Sequence, residues 1–320
     1  MGKYITFYIY THRLFWRAQG SKYLIHRKYM MGIRDFEYES KRNTTQPIRK
    51  QRIHFILPGG GVNGAFQAGF LYRLFKDCGK YIEVERIDGI SVGCLNGIAM
   101  ILEDPELIKT IWYSIENRES IFDSHTNSKD VFRKGSLYNS HGLRTIIENY
   151  TPFVRKNLLE RFNCVVHNKD TGEHEYVNGG HCSIWEYVIA SASPPVISPA
   201  CKIGEGRYSD GGVDIVYPIE YVRFPDTTYD TAYDAPNVMN LIVGYYEEKR
   251  YYLFKLYKKF KKSIEENMNV TRDHVDKGHI HIVYNRCRYN IIDFKPDVID
   301  IAFKQGEECA VSFYLQHIIQ

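Results

Sequence analysis

The chain has 320 residues and a mass of 37.5 kDa, with 44% hydrophobic residues, 25% charged residues and a formal net charge of +4. That is room for one large α/β domain plus an appendage, with enough apolar content for a core, so global disorder is excluded. No run approaches the roughly 18 to 20 apolar residues needed to cross a bilayer, and no cleaved signal peptide is expected, because His12, Arg13 and Arg17 interrupt the short apolar pieces at the start.

The charge is unevenly placed. Residues 1–52 hold twelve Lys or Arg against Asp35, Glu37 and Glu39, a balance of +9, and the remainder carries −5. Tyr4, Phe7, Tyr8, Tyr10, Phe15, Trp16, Tyr23 and Tyr29 interleave with Lys3, Arg13, Arg17, Lys22, Arg27 and Lys28. Cations and rings in this arrangement over residues 1–34 suit an anionic membrane surface, where rings settle at headgroup depth. An arm packed on the domain with its charges solvated accounts for the pattern equally well. Single-stranded nucleic acid, with bases stacked on the rings, is the weakest of the three readings. Met1-Gly2-Lys3-Tyr4-Ile5-Thr6 also fits the loose acylation pattern M-G-x-x-x-[ST], with Lys3 a poor neighbour. Residues 40–51 are the best linker, which divides the chain into a basic aromatic extension, 1–51, and a main domain, 52–320.

The main domain opens with Ile53-His54-Phe55-Ile56-Leu57-Pro58-Gly59-Gly60-Gly61-Val62-Asn63-Gly64. A short apolar run enters a triple glycine, and Ala65, Ala68, Leu71, Tyr72 and Phe75 recur behind it at helical spacing, with Gly79 just past the helix end. This reads as strand, tight loop, helix. A glycine loop at a helix start leaves backbone N–H groups pointing outward, which can hold phosphate or the oxyanion of an acyl-transfer intermediate. Gly59, Gly61 and Gly64 also satisfy the dinucleotide pattern G-x-G-x-x-G, with Glu83 or Glu85 where a ribose-binding acid would fall.

Gly89-Ile90-Ser91-Val92-Gly93 follows as a G-x-S-x-G serine turn. A serine on a sharp strand-to-helix bend needs small neighbours, and the bend sets its hydroxyl at the positive end of the next helix. Asp104-Pro105 reads as N-cap and first-turn proline of a helix through about Arg118. Phe162–His167, Asp170-Thr171-Gly172 and His174–Val177 read as a hairpin, Ile184–Ala190 as a helix and Val238–Tyr245 as a buried strand. Leu253, Leu256, Tyr257, Phe260 and Ile264 form an apolar stripe beside five lysines, expected to pack on the sheet or, as the alternative, to face a membrane. His279 and His281 fall on one face of an expected strand, solvated. Strand and helix patterns alternate, as in a mostly parallel central sheet covered by helices on both faces.

Ser209-Asp210-Gly211-Gly212-Val213 holds an aspartate in a glycine loop. Such an aspartate can act as general base on a serine hydroxyl without an intervening histidine, provided burial tunes its pKa. Taken alone, Asp-Gly-Gly is an ordinary turn. The seven cysteines, at 78, 94, 164, 182, 201, 287 and 309, are odd in number and contain no C-x-x-C pair. They fit a reducing compartment better than a disulfide framework or a zinc site, and Cys94 is expected to be a small apolar packer.

In order and spacing, the triple-glycine loop, the G-x-S-x-G turn, Ala190-Ser191-Ala192-Ser193-Pro194-Pro195 and Asp-Gly-Gly together resemble the patatin-like phospholipase family over roughly residues 52–225. The resemblance implies a patatin-like α/β fold and a lipid acyl hydrolase of phospholipase A type. It implies Ser91 as nucleophile and Asp210 as base, with the amides of Gly59, Gly60 and Gly61 as oxyanion hole. Gly64, Gly89, Gly93, Gly211 and Gly212 support the motifs. A phospholipid or related acyl lipid would be the substrate, with no cofactor or metal required. Asn63 departs from the family, which usually carries Arg or Lys there, and this puts a local ion pair in doubt. The implied location is intracellular and cytoplasmic with peripheral membrane attachment, and an activating protein factor is unknown. A serine–histidine–acid triad using His274, His279, His281 or His317 is the weaker mechanism. A catalytically silent lipid-binding module and a dinucleotide-binding oxidoreductase are the alternatives from other classes.

Overall fold

The computed structural model describes residues 50–101, 104–124, 136–150, 159–222, 238–246, 254–286 and 289–319. The cationic segment, the linker up to residue 49, Leu253 and Cys287 lie outside the described residues, as do the side chains of residues 254–257.

An eight-stranded sheet forms the centre. Its strands are β1 (Gln51–Leu57), β2 (Ile82–Ile90), β3 (Phe162–Asn168), β4 (His174–Asn178), β5 (Cys201–Ile203), β6 (Gly206–Asp210), β7 (Val238–Tyr245) and β8 (His281–Tyr284). The order is β8-β7-β1-β2-β3-β6-β5, with β4 paired to the other edge of β3. From β8 to β3 every pairing is parallel, and β4, β5 and β6 join antiparallel. The sheet is therefore mostly parallel, with an antiparallel end. In β1 the run Ile53 to Leu57 is wholly buried, as a central parallel strand covered on both faces requires.

Three helices follow the first two strands: α1 (Gly64–Cys78), α2 (Val92–Ile101) and α3 (Pro105–Tyr113). Further along come α4 (His141–Tyr150), α5 (Ile184–Ser191), α6 (Phe254–Asp276) and α7 (Pro296–His317). Ile53, Phe55 and Leu57 share one core with residues of α1, α2 and α7. Ile56 and Ile242 meet Val216, Tyr217 and Ile264 of α6 in a second core. Helices α1 and α7 cross at backbone contact: a Cβ on Gly69 would lie 1.9 Å from the Phe303 carbonyl oxygen, and one on Gly306 would lie 2.0 Å from that of Phe66. Only glycine permits that approach.

Several boundaries differ from the sequence reading, each for a local reason. The first strand starts at Gln51, inside the expected linker. Helix α3 is capped by Asp104 as expected but stops at Tyr113, because Asn117 caps a separate short turn, Arg118–Ser120. The expected strand around His279 begins only at His281. Neither histidine is simply solvated: the His281 ring packs edge-on against His317 at 5.2 Å, and His279 Nδ1 lies 3.4 Å from His274 Nδ1. On α6, Ile264 is buried and Phe260 packs against the sheet-side core, with Lys259, Lys261 and Lys262 outward. Among the described residues no helix is long and apolar enough to cross a membrane.

Candidate active site

Ser91 sits where β2 ends and α2 begins, with φ +56°, and is 7% exposed. The left-handed region costs a non-glycine residue roughly 1–3 kcal/mol, so surrounding contacts must hold it there. The neighbouring glycines allow those contacts. A Cβ on Gly93 would lie 2.1 Å from the Leu57 carbonyl oxygen, and one on Gly89 would lie 2.8 Å from the Cys94 amide nitrogen. The helix is thereby seated directly on the end of β1.

The triple-glycine loop lies against the same serine, since a Cβ on Gly59 would stand 3.1 Å from Ser91 Cβ. Gly60 and Gly61 have φ of +155° and +56°, and a Cβ on Gly61 would lie 2.0 Å from the Ile291 carbonyl oxygen. The amides of Gly59, Gly60 and Gly61 find no acceptor among the described residues. Half-buried N–H groups without an internal acceptor are free to bond a negatively charged group.

Asn63 anchors this loop with neutral bonds where the resemblance leads one to look for an ion pair. Its Nδ2 donates to the carbonyls of Gly60 (3.0 Å) and Tyr289 (3.1 Å), and its Oδ1 accepts from the Tyr289 amide at 3.0 Å. A second buried chain supports the loop from the other side. Trp112 Nε1 donates to Asn96 Oδ1 at 2.8 Å, Asn96 Nδ2 donates to Gln67 Oε1 at 3.1 Å, and Gln67 Nε2 donates to the Pro58 carbonyl at 2.7 Å. Neither Gln67 nor Asn96 was singled out in the sequence; each is a polar residue on an otherwise apolar helix face.

Asp210 ends β6 and is 7% exposed. Its amide donates to the Ser193 carbonyl at 3.1 Å, and its Oδ1 accepts from Gly212 N at 2.7 Å. A Cβ on Gly211 would lie 2.4 Å from the Val165 carbonyl oxygen, so the Asp-Gly-Gly loop is pressed onto β3. Strand pairing joins the two sites. Ile90 pairs with Val165 and Asp210 with Val166, and because β4 fills the opposite edge of β3, both lie on one edge. The strand ends that carry Ser91 and Asp210 therefore reach adjacent residues of β3, Val165 and Val166.

An apolar cavity of about 900 Å³, its open mouth included, reaches Ser91 and Gly61 and is walled by Trp112, Trp185, Phe122, Phe294, Ile108 and Leu143 among others. The Asn96 and Trp112 polar atoms in that wall are turned into the hydrogen bonds above, which leaves an oily lining. This cavity had no signature in the sequence, because its walls come from α2, α3, α4 and α5 and from the separate segments that carry Phe122 and Phe294.

The remaining candidates fall elsewhere. Glu85 is bound by Arg52 at 2.6 Å and Glu83 faces Arg161 at 3.9 Å, so both acids of the dinucleotide pattern have cationic partners on the sheet. His281 opens β8, three strands away from β2 in the sheet order. Cys94 is buried, with Sγ 3.0 Å from the Gly89 carbonyl and 3.5 Å from Cys164 Sγ, in the packing role expected for it.

A model of the family described as patatin-like phospholipase matches residues 55–223, more than half of the chain. Among solved structures, the crystal structure of VipD from Legionella pneumophila is similar at 14% identity and a TM-score of 0.41, covering 84% of this chain and 67% of that one. No curated protein sequence matches.

Proposed function

The chain belongs to the patatin-like phospholipase family, and from that premise we propose that it is a lipid acyl hydrolase of phospholipase A type working through a Ser91–Asp210 dyad. Membership supports lipid acyl hydrolysis in general; the dyad, the oxyanion donors and the substrate position are our reading. What supports this reading is that the strand ends carrying Ser91 and Asp210 reach adjacent residues on one edge of β3, with the unpaired glycine loop against Ser91 and an apolar cavity reaching the serine.

In this mechanism Asp210 takes the proton of Ser91 Oγ as that oxygen attacks the ester carbonyl carbon. The carbonyl oxygen becomes an oxyanion, held by the amides of Gly59, Gly60 and Gly61 and favoured by the N-terminus of α2. Collapse expels the alcohol, which receives the proton from Asp210 and leaves the acyl chain esterified to Ser91. Water then gives a proton to Asp210 and attacks the acyl carbon; the second collapse frees the fatty acid and returns the proton to Ser91. The scissile acyl chain occupies the cavity, whose lining beyond Ser91 and Gly61 matches a hydrocarbon better than a sugar or nucleotide. The acyl lipid is met at an anionic membrane surface, through the cationic residues of 1–34.

The experiment is labelling of the purified full chain with a fluorophosphonate probe beside Ser91→Ala and Asp210→Asn. Labelling lost in both variants supports the dyad. Labelling retained in Asp210→Asn would require another base.

A further inference from the structure

The turn that presents Ser91 breaks the ladder between β2 and β3. Ile90 is the last residue of β2 paired to β3, and Ser91 swings away in the left-handed region. Its amide would be left without a sheet partner at a place that is almost fully buried. The gap is closed by one hydroxyl. Ser91 N–H donates to Ser191 Oγ at 2.9 Å, and Ser191 Oγ–H donates to the Val165 carbonyl at 2.6 Å. Ser191 is 0% exposed, and it lies 100 residues away at the end of α5.

The same helix end reaches the other member of the pair. Two residues on, the Ser193 carbonyl accepts the Asp210 amide at 3.1 Å, and Ser193 Oγ donates to the Ile189 carbonyl at 2.7 Å, which ties that carbonyl back to the helix. Ser191 and Ser193 thus each receive one backbone amide, the first from Ser91 and the second from Asp210. A hydrogen bond used this way is directional and fully desolvated, so its loss leaves an unsatisfied N–H and removes one of the contacts that hold the strained φ.

We propose that Ser191 is a positioning residue for the reaction: its hydroxyl replaces the missing β2–β3 sheet bond and locks the Ser91 turn at the level of Asp210. This rests on the reading of Ser91 as nucleophile. It also explains why the oxyanion donors come from the glycine loop, since the Ser91 amide is already engaged.

The test is the rate constant, not the amplitude, of fluorophosphonate labelling, followed by intact mass on the full chain, so that a partly unfolded sample does not distort it. Ser191→Ala removes the bridge, Ser191→Thr keeps the hydroxyl, and Thr271→Val removes a fully buried hydroxyl that bonds the Asn267 carbonyl within α6. The expected result is at least a tenfold slower rate in Ser191→Ala, with Ser191→Thr and Thr271→Val within threefold of wild type. A Ser191→Ala rate within threefold of wild type would overturn the proposal. Equal slowing in Ser191→Ala and Ser191→Thr would also overturn it, by assigning the effect to packing. Labelling of Ser91→Ala at the wild-type rate is the separate result that would remove the nucleophile reading beneath it.

Discussion

Ser91 and Asp210 approach the same edge of β3 from opposite directions, one at the end of a parallel strand and the other at the end of an antiparallel one. Val165 takes the pairing of Ile90 and Val166 takes that of Asp210, so the two strands hand over to each other at adjacent residues of β3. This arrangement needs the sheet to change from parallel to antiparallel beyond β3, and the short strands β5 and β6 supply that change.

The glycine loop depends on Asn63. Its amide group makes three bonds to main-chain atoms of Gly60 and Tyr289 while 6% exposed. Asn63→Ala strands those groups, at a cost of about 1–3 kcal/mol. The expected outcome is a lower midpoint of thermal unfolding together with a slower fluorophosphonate labelling rate. Asn63→Arg is expected to be no better, because the site offers main-chain partners rather than a carboxylate.

If the proposed acyl chain occupies the cavity, the cavity limits the chain length accepted. Ala99 lines it and is 3% exposed. Replacing it with leucine fills space that a chain would occupy, and excluding two to three methylenes forfeits about 2 kcal/mol, roughly thirty-fold in kcat/KM. The loss is expected on long-chain nitrophenyl esters, with the acetyl and butyryl esters little changed. A uniform loss across chain lengths would mean that the chain lies elsewhere.

The loop that carries Asp210 is tethered four residues later by Asp214. His174 Nδ1 bonds Asp214 Oδ2 at 3.4 Å, and His167 Nδ1 stands 3.4 Å from Oδ1 at an angle too oblique for a hydrogen bond. Burial pushes the Asp214 carboxyl up, but the two histidines outweigh it and hold its pKa down to about 2. The bond to Asp214 raises that of His174, against a smaller opposing effect of burial. The raised His174 stabilises the fold below its unfolded pKa of about 6.5, and that contribution disappears as pH rises through its folded value. The depressed Asp214 contributes above about pH 4 and is lost only as pH falls toward 2. Burial lowers His274, His281 and His317, which pull the opposite way. The signature is thus a difference: His174→Gln should cost up to about 1 kcal/mol at pH 6 and close to nothing at pH 9, read by urea unfolding.

The cationic N-terminal segment gives a salt-dependent prediction. Replacing Lys3, Arg13, Arg17, Lys22, Arg27 and Lys28 by Gln in the full chain should release it from anionic vesicles, at about 1 kcal/mol per charge near the surface. Co-sedimentation at low and high salt reads this, and wild-type binding that ignores salt would contradict it.

Much of the fold around the candidate site was legible because its signals are local. The Gly89–Gly93 turn, the strand before Gly59, the Asp170–Gly172 hairpin and the Val238–Tyr245 strand each follow from neighbours within a few residues, and each appears in the fold. What stayed hidden depends on elements meeting across the chain. Nothing around Ser191 announces that its hydroxyl serves Ser91, and nothing around Gln67 announces that it holds the Pro58 carbonyl. His281 misled for the same reason, since its partner His317 lies at the far end of α7. The early stop of α3 came from Asn117, whose capping bond outcompetes helix continuation.

Release of fatty acid from phosphatidylcholine vesicles, compared among wild type, Ser91→Ala and Asp210→Asn, is the decisive measurement of the Ser91–Asp210 mechanism. Release by the wild type and a loss of at least a thousandfold in each variant are expected, with the double variant no worse than either single one. Release that survives Asp210→Asn would contradict the dyad, and release that survives Ser91→Ala would contradict the mechanism altogether.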